Sequence, residues 1–421
     1  MSNCPRLPAE IVREILFLLE LPVEEDWEGF YPLDLLACSL VCTTWYHEAN
    51  ALLASQKNPL STVFDGHAYT TPNIMRLASL LVESHRLGLK YHEKINVFHI
   101  NTACLIDDQS LYDHHREAAI FAILSLPLLN LHNLILDVKD LPPPATPAFF
   151  HISLFFTRSQ PLLTTITRFR LTTDLTDTPS PTLHTLVSTL APSLDVLMLD
   201  VAALPPPLYN ALALCNHLTQ AQLINALATD AALLLGAWPD LRRFRLKFSN
   251  PGDMDPLVWA LAYACHHLTD IEIRANHRGN REHHVSSAAL RVLLERSRRR
   301  ITRLVLYSTQ IDEVTMPDLL RYCPHLRHLE LRWCTGVTGA SLVNGRLAER
   351  EVWWSEMRDL SLKDCSGLEH GFLRKVATAC PRLGTLVLDT RVNRQHENVE
   401  FLTRERYRLM GPPVGAWKRS P

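Results

Sequence analysis

The sequence predicts an α/β solenoid of stacked strand–helix repeats, preceded by a small all-α module. Two observations carry this. One six-residue template (apolar, two variable residues, apolar, one variable, apolar) recurs eleven times after residue 94. The first fifty residues lack it and show helical spacing instead.

The template occurs as INVFHI (95–100), LHNLIL (131–136), ITRFRL (166–171), LDVLML (194–199), LTQAQL (218–223) and LRRFRL (241–246). It continues as LTDIEI (268–273), ITRLVL (301–306), LRHLEL (326–331), MRDLSL (357–362) and LGTLVL (383–388). Alternation at the end of each copy predicts a short strand with its apolar residues on one face. Copies follow one another at 23 to 36 residues, enough for one strand and one helical return. The intervening LHTLVSTL (183–190), DAALLLGAW (230–238), LVWALAYA (257–264), SAALRVLLERS (287–297) and GFLRKVATA (371–379) have apolar residues at three- and four-residue spacing. One unit cannot bury its apolar face alone, whereas stacked units can, each buried Leu contributing on the order of 1.5–3 kcal/mol.

Cysteines punctuate the later copies. Cys323 and Cys380 precede Pro-x-Leu, Cys334 and Cys365 follow the last strand Leu by three, and Cys215 and Cys265 take the pre-strand slot. This pattern resembles the cysteine-containing leucine-rich repeats of F-box proteins. Copies before residue 214 lack these cysteines and are more irregular. Proline-stiffened loops interrupt the series at 141–148 and 204–207, and charged loops at 274–284 and 344–354. Beyond Arg391 the chain is charged, and Val399, Leu402 and Leu409 offer an apolar stripe for an end cap.

At the amino terminus, Pro8 opens a helix containing Ile11, Ile15, Leu18 and Leu19, with Leu16 and Phe17 extending the apolar surface almost all round. A short helix ending near Val41 follows, then one containing Trp45, Ala49, Leu52 and Leu53. Three short helices make a small core, so such a module is expected to dock onto a partner or the next domain. Leu7-Pro8-x-Glu10-Ile11, Ile15-Leu16, Asp34-Leu35-Leu36 and Ser39-Leu40-Val41-Cys42-x-x-Trp45 resemble the F-box motif in order and position. The whole chain is thus similar to the fungal-type F-box proteins with leucine-rich repeats.

That resemblance implies a substrate-recognition subunit of a Skp–cullin–F-box ubiquitin ligase. The F-box binds the Skp adaptor and, through it, cullin; the repeats bind a target protein. The same two surfaces also suit a non-degradative scaffold. Matching adaptor-contact candidates are Leu7, Pro8, Ile11, Ile15, Leu16, Leu36, Leu40, Val41, Cys42 and Trp45, with Trp45 either touching the adaptor or holding the module together. One departure is the acidic link ELPVEEDWEGFYP (20–32), either a tolerated loop or a device that tilts the helices and weakens adaptor binding. The expected organisation is an F-box at 4–54, a connecting segment or cap at 55–94, the solenoid at 95–390, and a C-terminal cap and tail at 391–421.

In such repeats the strand-lined concave face commonly receives the target. Its candidates are the outward template positions Arg168, Arg170, Gln220, Gln222, Arg243, Arg245, Asp270, Glu272, Arg303, His328 and Glu330, with Val196, Met198 and Val305 on the same face. The formal charge of −2 divides into −7 over residues 1–54 and +5 over the rest. Six Asp and no Lys or Arg lie in 171–240, against thirteen Lys or Arg and six acids in 241–308. This predicts blocks of charge along the concave face and a target with blocks of opposite order.

Other chemistries find little support. No P-loop, dinucleotide, zinc-protease or nucleophile-elbow string is present, so no enzymatic activity and no cofactor are expected. The adjacent pairs His114–His115, His266–His267 and His283–His284 point apart in strands, and His325 and His328 lack a CxxC partner, so no metal site is expected. Cys38 and Cys42, four apart, read as buried packing residues of one helix. Arg296, Arg298, Arg299 and Arg300 read as a solvated turn, and without aromatic or glycine interleaving nucleic acid is not expected as a partner. No basic-then-apolar leader and no run of about 18 apolar residues occurs, so neither export nor membrane insertion is expected. With reduced thiols, cytoplasmic or nuclear residence follows as an expectation.

Overall fold

The computed structural model describes residues 7–18, 33–55, 63–65, 69–101, 105, 113–138, 163–173, 181–201, 206–248, 252–275, 283–297, 299–307, 310–344, 352–389, 401–403, 407–410 and 416–419. The chain divides into two compact units, Met1–Leu194 and Asp195–Pro421. The acidic link 20–32 and the loop 141–148 lie outside the described residues.

The first unit opens with three helices, α1 (Ala9–Leu18), α2 (Leu33–Ser39) and α3 (Thr43–Ser55). The carbonyl of Pro8 accepts the first helical bond from Val12 N–H (3.1 Å), consistent with a proline that loses no hydrogen bond at a helix start. Val12, Leu16, Leu35, Leu36 and Ala49 are fully buried between the helices. The inward stripe of α1 is therefore Val12–Leu16, while Ile11 stays exposed. Arg13 clamps α1 to α3 through both carboxylate oxygens of Glu48 (2.7 and 3.1 Å).

Strand β1 (Val63–Asp65) and helix α4 (Thr71–Arg86) then precede the first template copy. Arg76 on α4 meets Asp34 on α2 (2.7 Å). A 3-10 turn (Tyr91–Lys94) leads into β2 (Val97–Asn101), followed by α5 (His114–Leu124), β3 (Asn133–Val138), β4 (Arg168–Thr173) and α6 (Pro181–Leu190). Strands β1 to β4 pair in parallel in that order. β1 extends the sheet one strand upstream of the template series. Its three residues are too short to show alternation in sequence.

The second unit alternates β5 (Val196–Val201), α7 (Pro206–Leu212), β6 (Gln220–Ile224), α8 (Ala228–Leu235) and β7 (Arg243–Phe248). Next come β8 (Gly252–Asp253), α9 (Asp255–Ala264), β9 (Asp270–Ala275), β10 (His283–His284), α10 (Ser287–Arg296) and β11 (Arg303–Tyr307). The run closes with α11 (Thr315–Tyr322), β12 (His328–Arg332), α12 (Ala340–Asn344), β13 (Asp359–Lys363), α13 (His370–Ala379) and β14 (Thr385–Leu388). Parallel pairing runs β5, β6, β7, β9, β11, β12, β13, β14. The short strands β8 and β10 pair only with each other, so the charged loop 274–284 ends in a parallel bridge.

Every template copy begins its strand at the third residue. Within each unit the parallel pairs match third residue to third residue, from Val97↔Asn133 to Asp359↔Thr385. The cause is visible in the core: all three apolar positions of every copy are at most 3 % exposed. A one-residue slip would turn those side chains to the opposite face, so burial alone fixes the register. The helices close the other side, α10 through Ala289, Leu290, Leu293 and Leu294.

Cys215, Cys265, Cys323, Cys334, Cys365 and Cys380 are free and buried. The Cys265 thiol points at the carbonyl of Trp238 in the preceding repeat (3.6 Å), and the Cys365 thiol at that of Leu331 (3.6 Å). Burial pushes the thiols of Cys215, Cys265 and Cys323 up to about 12 and that of Cys380 to about 11. They are packing groups and inert as nucleophiles.

The end cap is an antiparallel hairpin, β15 (Tyr407–Met410) and β16 (Ala416–Arg419), laid on β14 with Trp417 opposite Leu386. Trp417 and Leu402 are buried and Leu409 lies on β15, while Val399 falls outside the described residues. Leu402 and Leu409 do not share one stripe within one element, because residues 401–403 are helical and residues 407–410 are extended.

Candidate functional site

The candidate adaptor contacts separate by burial. Leu7, Ile11 and Val41 are 46, 47 and 64 % exposed, and Pro8 and Cys42 are also exposed. Ile15, Leu40 and Trp45 are half-buried. Leu16 and Leu36 are fully buried in the three-helix core, where they pack against their own module and present no surface to a partner. Cys38 and Cys42 do not share a helix: α2 stops at Ser39, whose hydroxyl donates back to Leu36 C=O (2.6 Å). Cys42 is exposed at the start of α3, contrary to its expected burial, and Cys38 is half-buried.

On the strand face of the second unit, register builds three rows of outward side chains. The first row reads Arg243, Asp270, Arg303, His328, Asp359 across β7, β9, β11, β12 and β13. The second reads Arg245, Glu272, Val305, Glu330, Ser361. The third, just beyond the template, reads Lys247 and Arg274 on β7 and β9, then Tyr307, Arg332 and Lys363 on β11, β12 and β13.

Glu272 is the hub. Only 4 % exposed, it accepts from Arg303 (2.7 Å) and meets Arg274 (3.0 Å) and Arg245 (3.7 Å). Arg303 also reaches Asp270 (3.2 Å), and Arg274 bridges on to Glu330 (3.1 Å). Burial alone pushes the Glu272 carboxyl up, but the Arg303 hydrogen bond and the surrounding guanidiniums outweigh it and hold the group below the usual carboxylate range. Tyr307 donates to Glu330 (2.9 Å) and lies under Arg274 and Arg332, with the Trp333 ring edge-on at 5.3 Å. Arg332 in turn binds Asp364 (2.8 Å).

This arrangement corrects two expectations. Asp270 and Glu272 are not free to meet a target, because three arginines cover them. Nor do the arginines of 241–308 form a positive block on this face: carboxylates neutralise Arg245, Arg274 and Arg303 in place. Val305, though on the outward row, is fully buried under this network. Gln220 and Gln222 are half-buried on β6, Arg243 is exposed, and His328 lies 3.6 Å from Asp359. Sequence reasoning missed Arg274, Tyr307 and Arg332, although continuing the alternation one residue past each template points to them.

In the first unit, Arg168 and Arg170 are exposed on β4. The neighbouring strands carry a group that the candidate set omits. His99 on β2 binds Asp137 on β3 (2.7 Å) and lies 3.3 Å from Asp65 on β1. Burial acts to lower its pKa, but the two carboxylates prevail and raise it to about 9. The imidazolium thus joins three strands at neutral pH. The sign follows from linkage: its stabilisation is full below the unfolded value of about 6.5 and is lost as pH rises through about 9. We expect the thermal midpoint to fall between pH 6.5 and 9 in the native chain, and His99→Gln to flatten that slope. An unchanged slope in the variant would refute the assignment.

The arginine run is only partly a solvated turn. Arg296 lies over the Tyr263 ring (4.4 Å) and Arg300 donates to His266 C=O (2.9 Å), while Arg298 is outside the described residues. Among the described residues no group of three His, Cys, Asp or Glu side chains is placed to hold a metal ion.

No protein-family model matches the sequence. The solved structures that resemble it include the following two. One is the leucine-rich repeat-containing protein LegL7 from Legionella pneumophila, 13 % identical, TM-score 0.36, covering 74 % of this chain and 90 % of that one. Another is a chain of the Rad7 and Elc1 complex in yeast, 13 % identical, TM-score 0.37, covering 76 % of this chain and 76 % of that one. At such TM-scores the overlays are partial, and the strand–helix repeat architecture rests on the register and core described above.

Proposed function

We propose that this chain is an F-box protein with leucine-rich repeats that serves as the target-binding subunit of a Skp–cullin–F-box ubiquitin ligase. One observation carries the reading. The three amino-terminal helices fill their own core with Val12, Leu16, Leu35, Leu36 and Ala49, yet leave Leu7, Pro8, Ile11, Val41 and Cys42 facing solvent. Exposed apolar side chains on so small a module suit a partner helix or groove, and these coincide with positions of the F-box-like motif. The repeats supply a broad strand face to hold a target. Raising the target's effective concentration beside a conjugating enzyme needs no catalytic group in this chain.

Co-purification of the full chain with a Skp adaptor tests the proposal. Ile11→Asp with Val41→Asp is expected to lower adaptor recovery by about tenfold or more, since each charge is forced into an apolar contact. Leu129→Asp, at an equally exposed apolar position of the same unit, is expected to leave recovery intact. Equal recovery of all three proteins would sink the F-box assignment. Adaptor bound without cullin would replace the ligase by a scaffold.

A further inference from the structure

Four arginines of the strand face, Arg245, Arg303, Arg274 and Arg332, are each held by a carboxylate. Those at the edge where the strands begin are not. The second residue of each template forms its own backbone ladder there. Arg242 N–H donates to Thr219 C=O, Thr269 to Arg242, Thr302 to Thr269, Arg327 to Thr302, Arg358 to Arg327 and Gly384 to Arg358, all at 2.8–2.9 Å. The turn entering each strand lies beside this row and brings Asp240, His266, His267, Arg299, Arg300, His325, Glu356 and Arg382 to the same edge.

Six arginines, Arg242, Arg299, Arg300, Arg327, Arg358 and Arg382, therefore face two carboxylates, Asp240 and Glu356, and all six are exposed. Glu356 is already occupied by Arg327 (2.7 Å) and His325 (2.9 Å), and Arg300 is tied to His266 and His267. Arg242, Arg299, Arg358 and Arg382 have no ion-pair partner among the described residues. A row of unpaired guanidiniums along one edge raises the local concentration of an anionic partner and gives bidentate sites for carboxylates.

We infer that the strand-start edge of the second unit, from Arg242 on β7 to Arg382 before β14, is a docking site for an extended acidic polypeptide segment. Its dimensions suit one. Rungs lie about 4.8 Å apart, so the six strands from β7 to β14 of the main sheet (β7, β9, β11, β12, β13 and β14) span roughly 24 Å, the length of about seven extended residues. Carboxylates on alternate residues of such a segment recur at about 6.6 Å, within reach of flexible arginines on neighbouring rungs. Thr269 and Thr302 add hydroxyls in the middle of the row. Single-stranded nucleic acid is the poorer fit, because neither the ladder nor its entering turns expose a Phe, Tyr or Trp ring on which bases stack. The inference is independent of adaptor binding.

The test is fluorescence anisotropy with the full chain and a labelled peptide of about twelve residues alternating Glu and Ser, against a Gln/Ser control and an oligothymidylate of similar length. The wild type is expected to prefer the acidic peptide, with affinity falling as salt rises. Arg242→Gln, Arg358→Gln and Arg382→Gln together are expected to weaken it by about tenfold with the thermal midpoint unchanged. If the triple variant unfolds early, Arg358→Gln alone replaces it, with an expected loss of about two- to threefold. Equal affinity of wild type and variant, no preference over the Gln/Ser peptide, or tighter binding of the oligothymidylate overturns the inference. Because no adaptor enters this assay, its failure leaves the co-purification result untouched.

Discussion

Glu272→Ala is expected to destabilise the second unit by about 3–5 kcal/mol, the largest loss on the strand face. Glu272 is the carboxylate shared by Arg245, Arg274 and Arg303. Its removal leaves three guanidiniums, each partly buried, with only Asp270 and Glu330 to balance them. Breaking a buried pair costs more than the pair contributes, because the orphaned charge stays desolvated. Glu272→Gln keeps the volume and one acceptor and is expected to cost less. Urea unfolding of the full chain checks both, and a loss under about 1 kcal/mol for the alanine variant would show that water, not Glu272, balances the arginines. Acid acts in the same direction. The carboxyl titrates below its unfolded value, so its contribution is present above that value and lost as pH falls through the depressed folded one.

Gly339→Ala is expected to cost about 2–5 kcal/mol for two separable reasons. Its φ of +80° lies in the left-handed region, where a side chain costs about 1–2 kcal/mol. A Cβ built there also overlaps Cβ, Cγ and Cδ2 of Phe372, whose side chain is fully buried on α13. The backbone is held in place by Glu313, whose carboxylate accepts the N–H groups of Thr338 (2.6 Å), Gly339 (2.7 Å) and Ser341 (2.7 Å). Gly88 provides the comparison: φ is +76° but nothing lies within 4 Å of the added Cβ. Gly88→Ala is therefore expected to show only the backbone part, about 1–2 kcal/mol. Equal thermal shifts for the two variants would refute the steric part.

Of the three non-glycine αL positions that directly follow a strand, two are written in sequence and one is not. Asn225, Trp333 and Asp364 follow directly on β6, β12 and β13, all with φ near +60°. Asn and Asp are ordinary there, since their short side chains tolerate this conformation. Trp333 is not, at a cost of about 1–3 kcal/mol. It is kept where its ring meets Tyr307 and Arg332, a packing that no local pattern announces.

The adaptor candidates show the same division. Helical spacing identified α1 and its apolar residues, but helices apolar on several faces do not reveal which stripe turns inward. Only packing against α2 and α3 put Val12 and Leu16 inside and left Leu7 and Ile11 outside.

By itself the sequence determined where each repeat strand begins, which residues it buries, and the register with which it meets its neighbour in the same unit. These follow from an alternation only six residues long, repeated, whose burial tolerates no slip. Tertiary structure decided what the charges do. Arg245, Glu272 and Glu330 lie 27 and 58 residues apart in sequence but come together in one row on β7, β9 and β12, with only β11 between the last two. Whether an arginine is neutralised there or left open at the strand-start edge depends on neighbours brought in by the intervening turns. Local pattern sets the direction of a side chain, and only the stacked register sets its partner.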